Sequence, residues 1–365
     1  VSFLKLERYG HGGDLRTAEE SYGIAADEWL DFSSNMNPWG PPAVVGDIMR
    51  DRWREIVRYP DPGVRSLRSK LSQIYRVPAE SILVGNGAAE LIDLVIRVTK
   101  PVETILARPS FSEYEEAVHK TGGAVSEILL SRENGFLLPD SIRQWIERAE
   151  GQGSTFFLGH PNNPTGRLIP SEILRDLTDS DAPLIVDEAF MDFVPDESRH
   201  SLIRVAAESR RVIVIRSMTK FYAVPGIRLG FVVAHPDTVR QLSALQTQWS
   251  VNFLAQLIGE AVLGEHAYAK RTRDWLMEER PWLTGQLQEL GLSVVPSDVN
   301  FLLVRLSADH GMNVTQLQQE MARRGIMIRD ASLFAGLDTS YFRVAIRLRH
   351  ENERLVQLLQ EVIKP

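Results

Sequence analysis

Between residues 80 and 220 five short apolar runs recur at similar intervals: "SILVGN", "ETILARP", "STFFLGHP", "APLIVDEAF" and "RVIVIRSMT". Polar or helix-forming sequence separates them, with helices expected near 88–100 and 112–122. Nearly continuous apolar strands linked by helices imply an α/β fold, a mostly parallel sheet covered on both faces. Active groups in such sheets gather at the carboxyl ends of the strands. After about residue 250 the texture changes. A long helical region, roughly 252–290, leads into "LSVVPSDVNFLLVRL", a helix, the short strands "IMIRD" and "YFRVAI", and a final helix "ENERLVQLLQEVI". That part reads as a smaller α+β unit. The expected organisation is an N-terminal arm over 1–45, extended and contributing to the site, a large domain over 46–255 and a small C-terminal domain over 256–365.

At 365 residues the chain is long enough for two domains with well-buried cores. Forty-one basic against 48 acidic residues give a net charge of −7, which argues against general nucleic-acid binding. There is no cysteine, so disulfides, thiolate chemistry and cysteine-ligated zinc are excluded, and no metal site is expected. No apolar run approaches the roughly 20 residues of a membrane span. The opening "VSFLKLERYG" has no signal-peptide core, so the expected location is the cytoplasm, with no membrane partner.

Two motifs point to chemistry that the rest of the chain does not support. "VGNGAAE" follows a strand and opens a helix like a dinucleotide fingerprint, but Glu90 stands where the third glycine belongs. What survives is a helix N-terminus suited to an anion. "LIVDEA" resembles the acidic strand end of a nucleotide hydrolase, yet no G-x-x-x-x-G-K-[ST] phosphate loop occurs anywhere.

Four strand ends carry conspicuous polar residues, in chain order: "GNGAAE", "HPNNPTG", "DEAF" and "SMTK". A lysine, an aspartate, an asparagine and an arginine converging on one sheet edge are what pyridoxal 5'-phosphate requires. The amine condenses with the aldehyde, the carboxylate keeps the pyridine nitrogen protonated, and cationic and amide groups hold the phosphate. The ordered set "PNNPTG", "DEAF" and "SMTKFYAVPGIRLG" resembles the fold-type I pyridoxal-phosphate enzymes, the aspartate-aminotransferase fold family, over essentially the whole chain.

That resemblance implies a role for each matching residue. Lys220 would hold the cofactor covalently, Asp187 would face its ring nitrogen, and Asn163 would hydrogen-bond its phenolic oxygen. Ser217, Arg228 and the backbone N–H groups of Ala88 and Ala89 would bind its phosphate, and Phe111 would stack on the ring. Tyr59, in "RYPD", resembles the tyrosine that reaches the phosphate from a neighbouring subunit, which implies a homodimer. Phe190 departs from the pattern, standing where many relatives have a tyrosine.

The cofactor site does not fix the reaction, because placement of substrate anions decides which bond lies perpendicular to the ring. Arg343 matches the family's substrate-carboxylate arginine, and Arg329 resembles one used on phosphorylated substrates. Arg347 is expected to be solvated. The arm, "HGGDL" then "LDFSSNMNPWGPP", resembles that of the threonine-phosphate decarboxylases. That likeness implies that His11 and Asn35 line the substrate site, with the two glycines letting backbone pass close to the ligand. It also implies a small phosphorylated amino-acid substrate in cobalamin biosynthesis. Histidinol-phosphate aminotransferases share the asparagine-rich arm and remain the alternative; a non-catalytic ligand-binding protein of the same fold is the third. Asn252 is read as a helix cap and His160 as structural.

Overall fold

The computed structural model describes residue 6 and residues 10–363. After a two-residue strand β1 (Leu30–Asp31), seven strands build the central sheet: β2 (Ile82–Gly85), β3 (Glu103–Arg108), β4 (Ala124–Leu129), β5 (Thr155–Gly159), β6 (Leu184–Asp187), β7 (Val212–Ser217) and β8 (Gly230–Val233). Their order is β2-β8-β7-β6-β5-β3-β4. Every neighbouring pair is parallel except those of β8, which runs antiparallel to both β2 and β7. Every residue of β2, β5, β6, β7 and β8 is buried, as unbroken apolar runs demand of strands covered on two faces. Neither β4 nor β8 is among the runs that stand out in the sequence. β4 is an edge strand with mostly accessible side chains, and β8 is only four residues long.

Alternation along the strands decides what faces where. Ile185 on β6 and Ile213 and Ile215 on β7 pack with Leu91, Ile92 and Val95 of helix Ala88–Thr99. Leu184, Val186, Val212 and Val214 fill the opposite layer. Burying each such side chain contributes about 1.5–3 kcal/mol. By the same period of two, Asp187 and Ser217 belong to the face of helix Ala88–Thr99, whereas Glu188 and Arg216 belong to the other. Arg216 and Glu188 are there fully buried and paired at 3.0 Å.

The C-terminal strands are β9 (Ser293–Val294), β10 (Phe301–Arg305), β11 (Ile326–Met327), β12 (Arg329–Asp330) and β13 (Tyr341–Ala345). Four of them form an antiparallel sheet in the order β12-β13-β10-β9. "IMIRD" is thus split: β11 leaves that sheet and pairs in parallel with β1 of the arm. The long helical region also divides, into Phe253–Val262, which the Asn252 side chain caps, and His266–Glu289.

The arm is not wholly extended, as expected from its glycines and prolines, but holds a helix, Leu15–Tyr22. Asp14 caps it by accepting from the Thr17 N–H at 3.0 Å, and Gly23 ends it in the left-handed conformation. Backbone bonds then stitch the arm to the C-terminal strands: the Phe32 N–H donates to the Met327 carbonyl, and the Ala345 N–H to the Phe32 carbonyl, both at 2.8 Å. Arg347 is not solvated. It pairs with Glu351 at 2.6 Å and donates to the Asp31 carbonyl, because the turn into helix Arg349–Ile363 brings it under the arm.

Candidate active site

The carboxyl ends of β6 and β7 open onto a cavity of about 320 Å3. Twelve of the expected residues line it: His11, Asn35, Ala88, Ala89, Phe111 and Asn163, then Asp187, Ser217, Lys220, Arg228, Arg329 and Arg343. Tyr59 does not. It lies on an exposed surface with its ring 5.1 Å from that of Trp249, and the expectation for it concerns a second copy of the chain.

Asp187 closes β6 with its carboxylate held at both oxygens. The Tyr114 hydroxyl donates to Oδ2 at 2.8 Å, and the Ala189 N–H donates to Oδ1 at 2.9 Å. Burial raises its pKa, while the Tyr114 hydrogen bond and the Lys220 charge pull the other way. Lys220 lies three residues past the end of β7, and its Nζ donates to Ser217 Oγ at 3.3 Å. Burial lowers its pKa; Asp187 opposes this, and the Arg228 charge adds to it. The neutral amine is the form that attacks a carbonyl. Phe190 is buried edge-on against Phe301 at 5.0 Å, and its ring centroid is 6.0 Å from Lys220 Nζ.

Beside the lysine, hydrogen-bond donors concentrate, and at the same helix start the Asn86 N–H donates to Glu90 Oε2 at 2.5 Å. Helix Ala88–Thr99 begins with no side-chain cap, so its first amides face the cavity through Ala88 and Ala89. Gly87, at φ +85°, precedes them, and a Cβ there would lie 2.5 Å from Arg228 Nη2. Only glycine lets that guanidinium lie over the helix start. Helix amides, Arg228 and Ser217 therefore could hold a phosphate, with Lys220 and Asp187 beside them in the same cavity. These residues fit pyridoxal phosphate.

The far wall comes from the C-terminal sheet. Arg329 on β12 and Arg343 on β13 are direct cross-strand partners, and both are buried. Arg343 donates to Asn163 Oδ1 and, at 2.8 Å, to the Ser33 carbonyl; Arg329 donates to the Gly10 carbonyl at 2.6 Å. Phe334 lies beneath both guanidinium groups, 5.4 Å from Arg329 Cζ and 5.9 Å from Arg343 Cζ. Asn35 Oδ1, also in the cavity, is buried without a hydrogen-bond partner among the described residues.

The glycines of the arm also serve its docking, and Gly12 lines the cavity as well. A Cβ on Gly12 would lie 2.3 Å from the Ser33 carbonyl oxygen, and the Gly13 N–H donates to Ser33 Oγ at 2.8 Å. His11, half-exposed between them and Gly10, reaches Glu113 with Nε2 3.1 Å from Oε1. His160, next to the asparagine turn, is fully buried: the Ile169 N–H donates to Nδ1 at 3.0 Å, and Nε2 lies 3.2 Å from the His200 carbonyl.

Sequence reasoning missed Tyr114, Glu113, Ser33 and Phe334. The spacing of Phe111 and Tyr114, three apart at the start of helix Ser112–Lys120, was a usable signal for the tyrosine. Nothing local marks Ser33 or Phe334, which enter the cavity through pairing of the arm with the C-terminal strands.

Residues 27–362 match the family described as aminotransferase class I and II. The chain is 37% identical over 366 residues to a threonine-phosphate decarboxylase of Salmonella typhimurium, covering 99% of this chain and 98% of that one. Among solved structures it is similar to a histidinol-phosphate aminotransferase from Clostridium acetobutylicum, with a TM-score of 0.84, 27% identity, and 91% and 98% of the two chains covered. An L-threonine-O-3-phosphate decarboxylase from Porphyromonas gingivalis gives 0.80, 25%, 92% and 99%. With its seven-stranded, mostly parallel sheet and its lysine and aspartate on neighbouring strand ends, this chain belongs to the class I and II aminotransferase family of fold-type I enzymes, whose cofactor is pyridoxal 5'-phosphate.

Proposed function

We propose that this protein is a cytoplasmic enzyme that removes the carboxylate of L-threonine O-3-phosphate as carbon dioxide, leaving (R)-1-aminopropan-2-ol O-phosphate for cobalamin biosynthesis. Serine phosphate is a close variant, since one methyl group is worth only ~1–3 kcal/mol of discrimination. The observation that carries this reading is the Arg329–Arg343 pair, two buried guanidinium groups directly opposite each other on adjacent strands. The planar fork of arginine suits the oxygens of a phosphate. The 37% identity to the Salmonella typhimurium decarboxylase, along nearly the whole of both chains, supports the same reading.

Pyridoxal phosphate supplies, when bound, a ring that draws off the electron pair left behind as carbon dioxide departs. Lys220 would hold it covalently, with Ser217, Arg228 and the Ala88 and Ala89 amides on its phosphate and Phe111 against its ring. Asp187 would keep a proton on the ring nitrogen. Asn163, its amide oxygen engaged by Arg343, keeps its NH2 for the phenolic oxygen. Tyr59 from a second copy would reach the same phosphate in a homodimer. Arg329 and Arg343, with His11 and Asn35, would fix the substrate phosphate so that the carboxylate turns out of the ring plane. The Lys220 amine would also return a proton to the substrate Cα. On this view residues 1–45 act as the arm, 46–255 as the cofactor domain and 256–365 as the small domain.

A second reading, a histidinol-phosphate-type aminotransferase, is favoured by the TM-score of 0.84 to the Clostridium acetobutylicum enzyme. The purified enzyme loaded with cofactor separates the two. Carbon dioxide released from phosphothreonine without any keto acid is the expected result. Glutamate formed from histidinol phosphate and 2-oxoglutarate, with no carbon dioxide from phosphothreonine, would overturn it in favour of the second.

A further inference from the structure

Among the described residues, four cations line the cavity, Lys220, Arg228, Arg329 and Arg343, with two carboxylates, Asp187 and Glu113. Asp187 has its place beside Tyr114 and Ala189. Glu113 needs another explanation, because a bare carboxylate in a cavity built for anions works against the ligand. Its partner supplies one. His11 Nε2 lies 3.1 Å from Glu113 Oε1, and this hydrogen bond holds the Glu113 carboxyl below its usual pKa against the opposing effect of burial. The residue before His11 is tied to a different wall, its carbonyl accepting from Arg329 at 2.6 Å. Adjacent arm residues thus bind helix Ser112–Lys120 on one side and strand β12 on the other. The His11 ring also leans on Phe111, centroids 6.0 Å apart.

We infer that Glu113 is a positioning residue for His11: it fixes the imidazole through Nε2 beside the cavity, and the doubly protonated ring then offers Nδ1–H to the phosphate of a substrate docked on Arg329 and Arg343. This rests on the phosphorylated-substrate reading above. His11 also shields the incoming phosphate from the Glu113 charge, so the two residues act as a unit whose halves are not independent.

The test is a double-mutant cycle on the cofactor-loaded enzyme. Glu113→Gln raises KM for phosphothreonine severalfold and leaves kcat within about twofold, the mark of binding rather than chemistry. His11→Ala raises KM about tenfold or more, by losing a donor and baring the carboxylate. Adding Glu113→Gln to His11→Ala then lowers KM again, because the repelling charge has gone. Additive losses in the double variant, or a fall in kcat at constant KM, would overturn the inference. The same cycle, read as the inorganic phosphate concentration that half-saturates the loaded enzyme, reports on the pair independently of which phosphorylated amine is turned over. A failed substrate assignment is therefore distinguishable from a failed His11–Glu113 unit.

Discussion

The two ends of the cavity are built on opposite electrostatic plans. At the sheet end, Asp187 and Lys220 have opposite charges that moderate each other's burial, and local groups hold each one: Tyr114 and Ala189 the carboxylate, Ser217 the amine. At the C-terminal end, Arg329 and Arg343 stand opposite each other on neighbouring strands, and hydrogen bonds from them reach into the arm and to Asn163. The first end is internally balanced and suits a resident group. The second draws on a segment distant in the chain. The two ends can therefore vary separately within one cavity.

The sharpest way to break this contrast is at the lysine. Lys220→Ala should lower kcat by about a thousandfold or more, as expected for a lost covalent anchor. Dialysed protein should also lose the long-wavelength absorbance of lysine-bound cofactor; a band that survives dialysis would refute the assignment. At the other end, Arg329→Met or Arg343→Met should raise KM for the phosphorylated substrate roughly 10–100-fold, the value of one or two charge-assisted hydrogen bonds. Cofactor absorbance should stay intact in the Arg329 variant. Inorganic phosphate should raise the melting temperature of loaded wild-type enzyme more than that of either variant. Equal protection would remove the case for an anion between these arginines.

His160 probes how firmly the sheet end is fixed. Burial pushes its pKa from the usual 6.5 down to about 4. The unfolded chain therefore binds the extra proton first as pH falls. His160 contributes its full stability above about 6.5, and that contribution is lost as pH drops toward 4, in all about 3 kcal/mol. Urea unfolding of wild type across this window should show the slope, and His160→Gln should flatten it; an unchanged slope would place the titrating group elsewhere. The smallest effect is expected at the arm. Gly12→Ala puts a methyl group 2.3 Å from the Ser33 carbonyl oxygen and should loosen docking locally. A severalfold rise in KM with global stability changed by less than ~1 kcal/mol is the expected pattern, readable by kinetics and thermal melting together. A cooperative loss of stability would instead make the arm part of the core.

What the sequence determined by itself is the sheet end. Runs such as "LIVD" and "VIVIRS" fix strand, face and exit together, because a period of two and burial on both sides leave no freedom in where Asp187 and Ser217 point. Lys220, Asn163 and Arg228 follow at short distances along the chain. Only the tertiary structure decided the other end. The split of "IMIRD" at Ile328, the Arg329–Arg343 register, the helix inside the arm and the meeting of His11 with Glu113 all depend on pairings between segments far apart in sequence. Two-residue strands carry almost no periodic signal, so their partners are chosen by the long-range contacts they bury, and no local pattern records that choice.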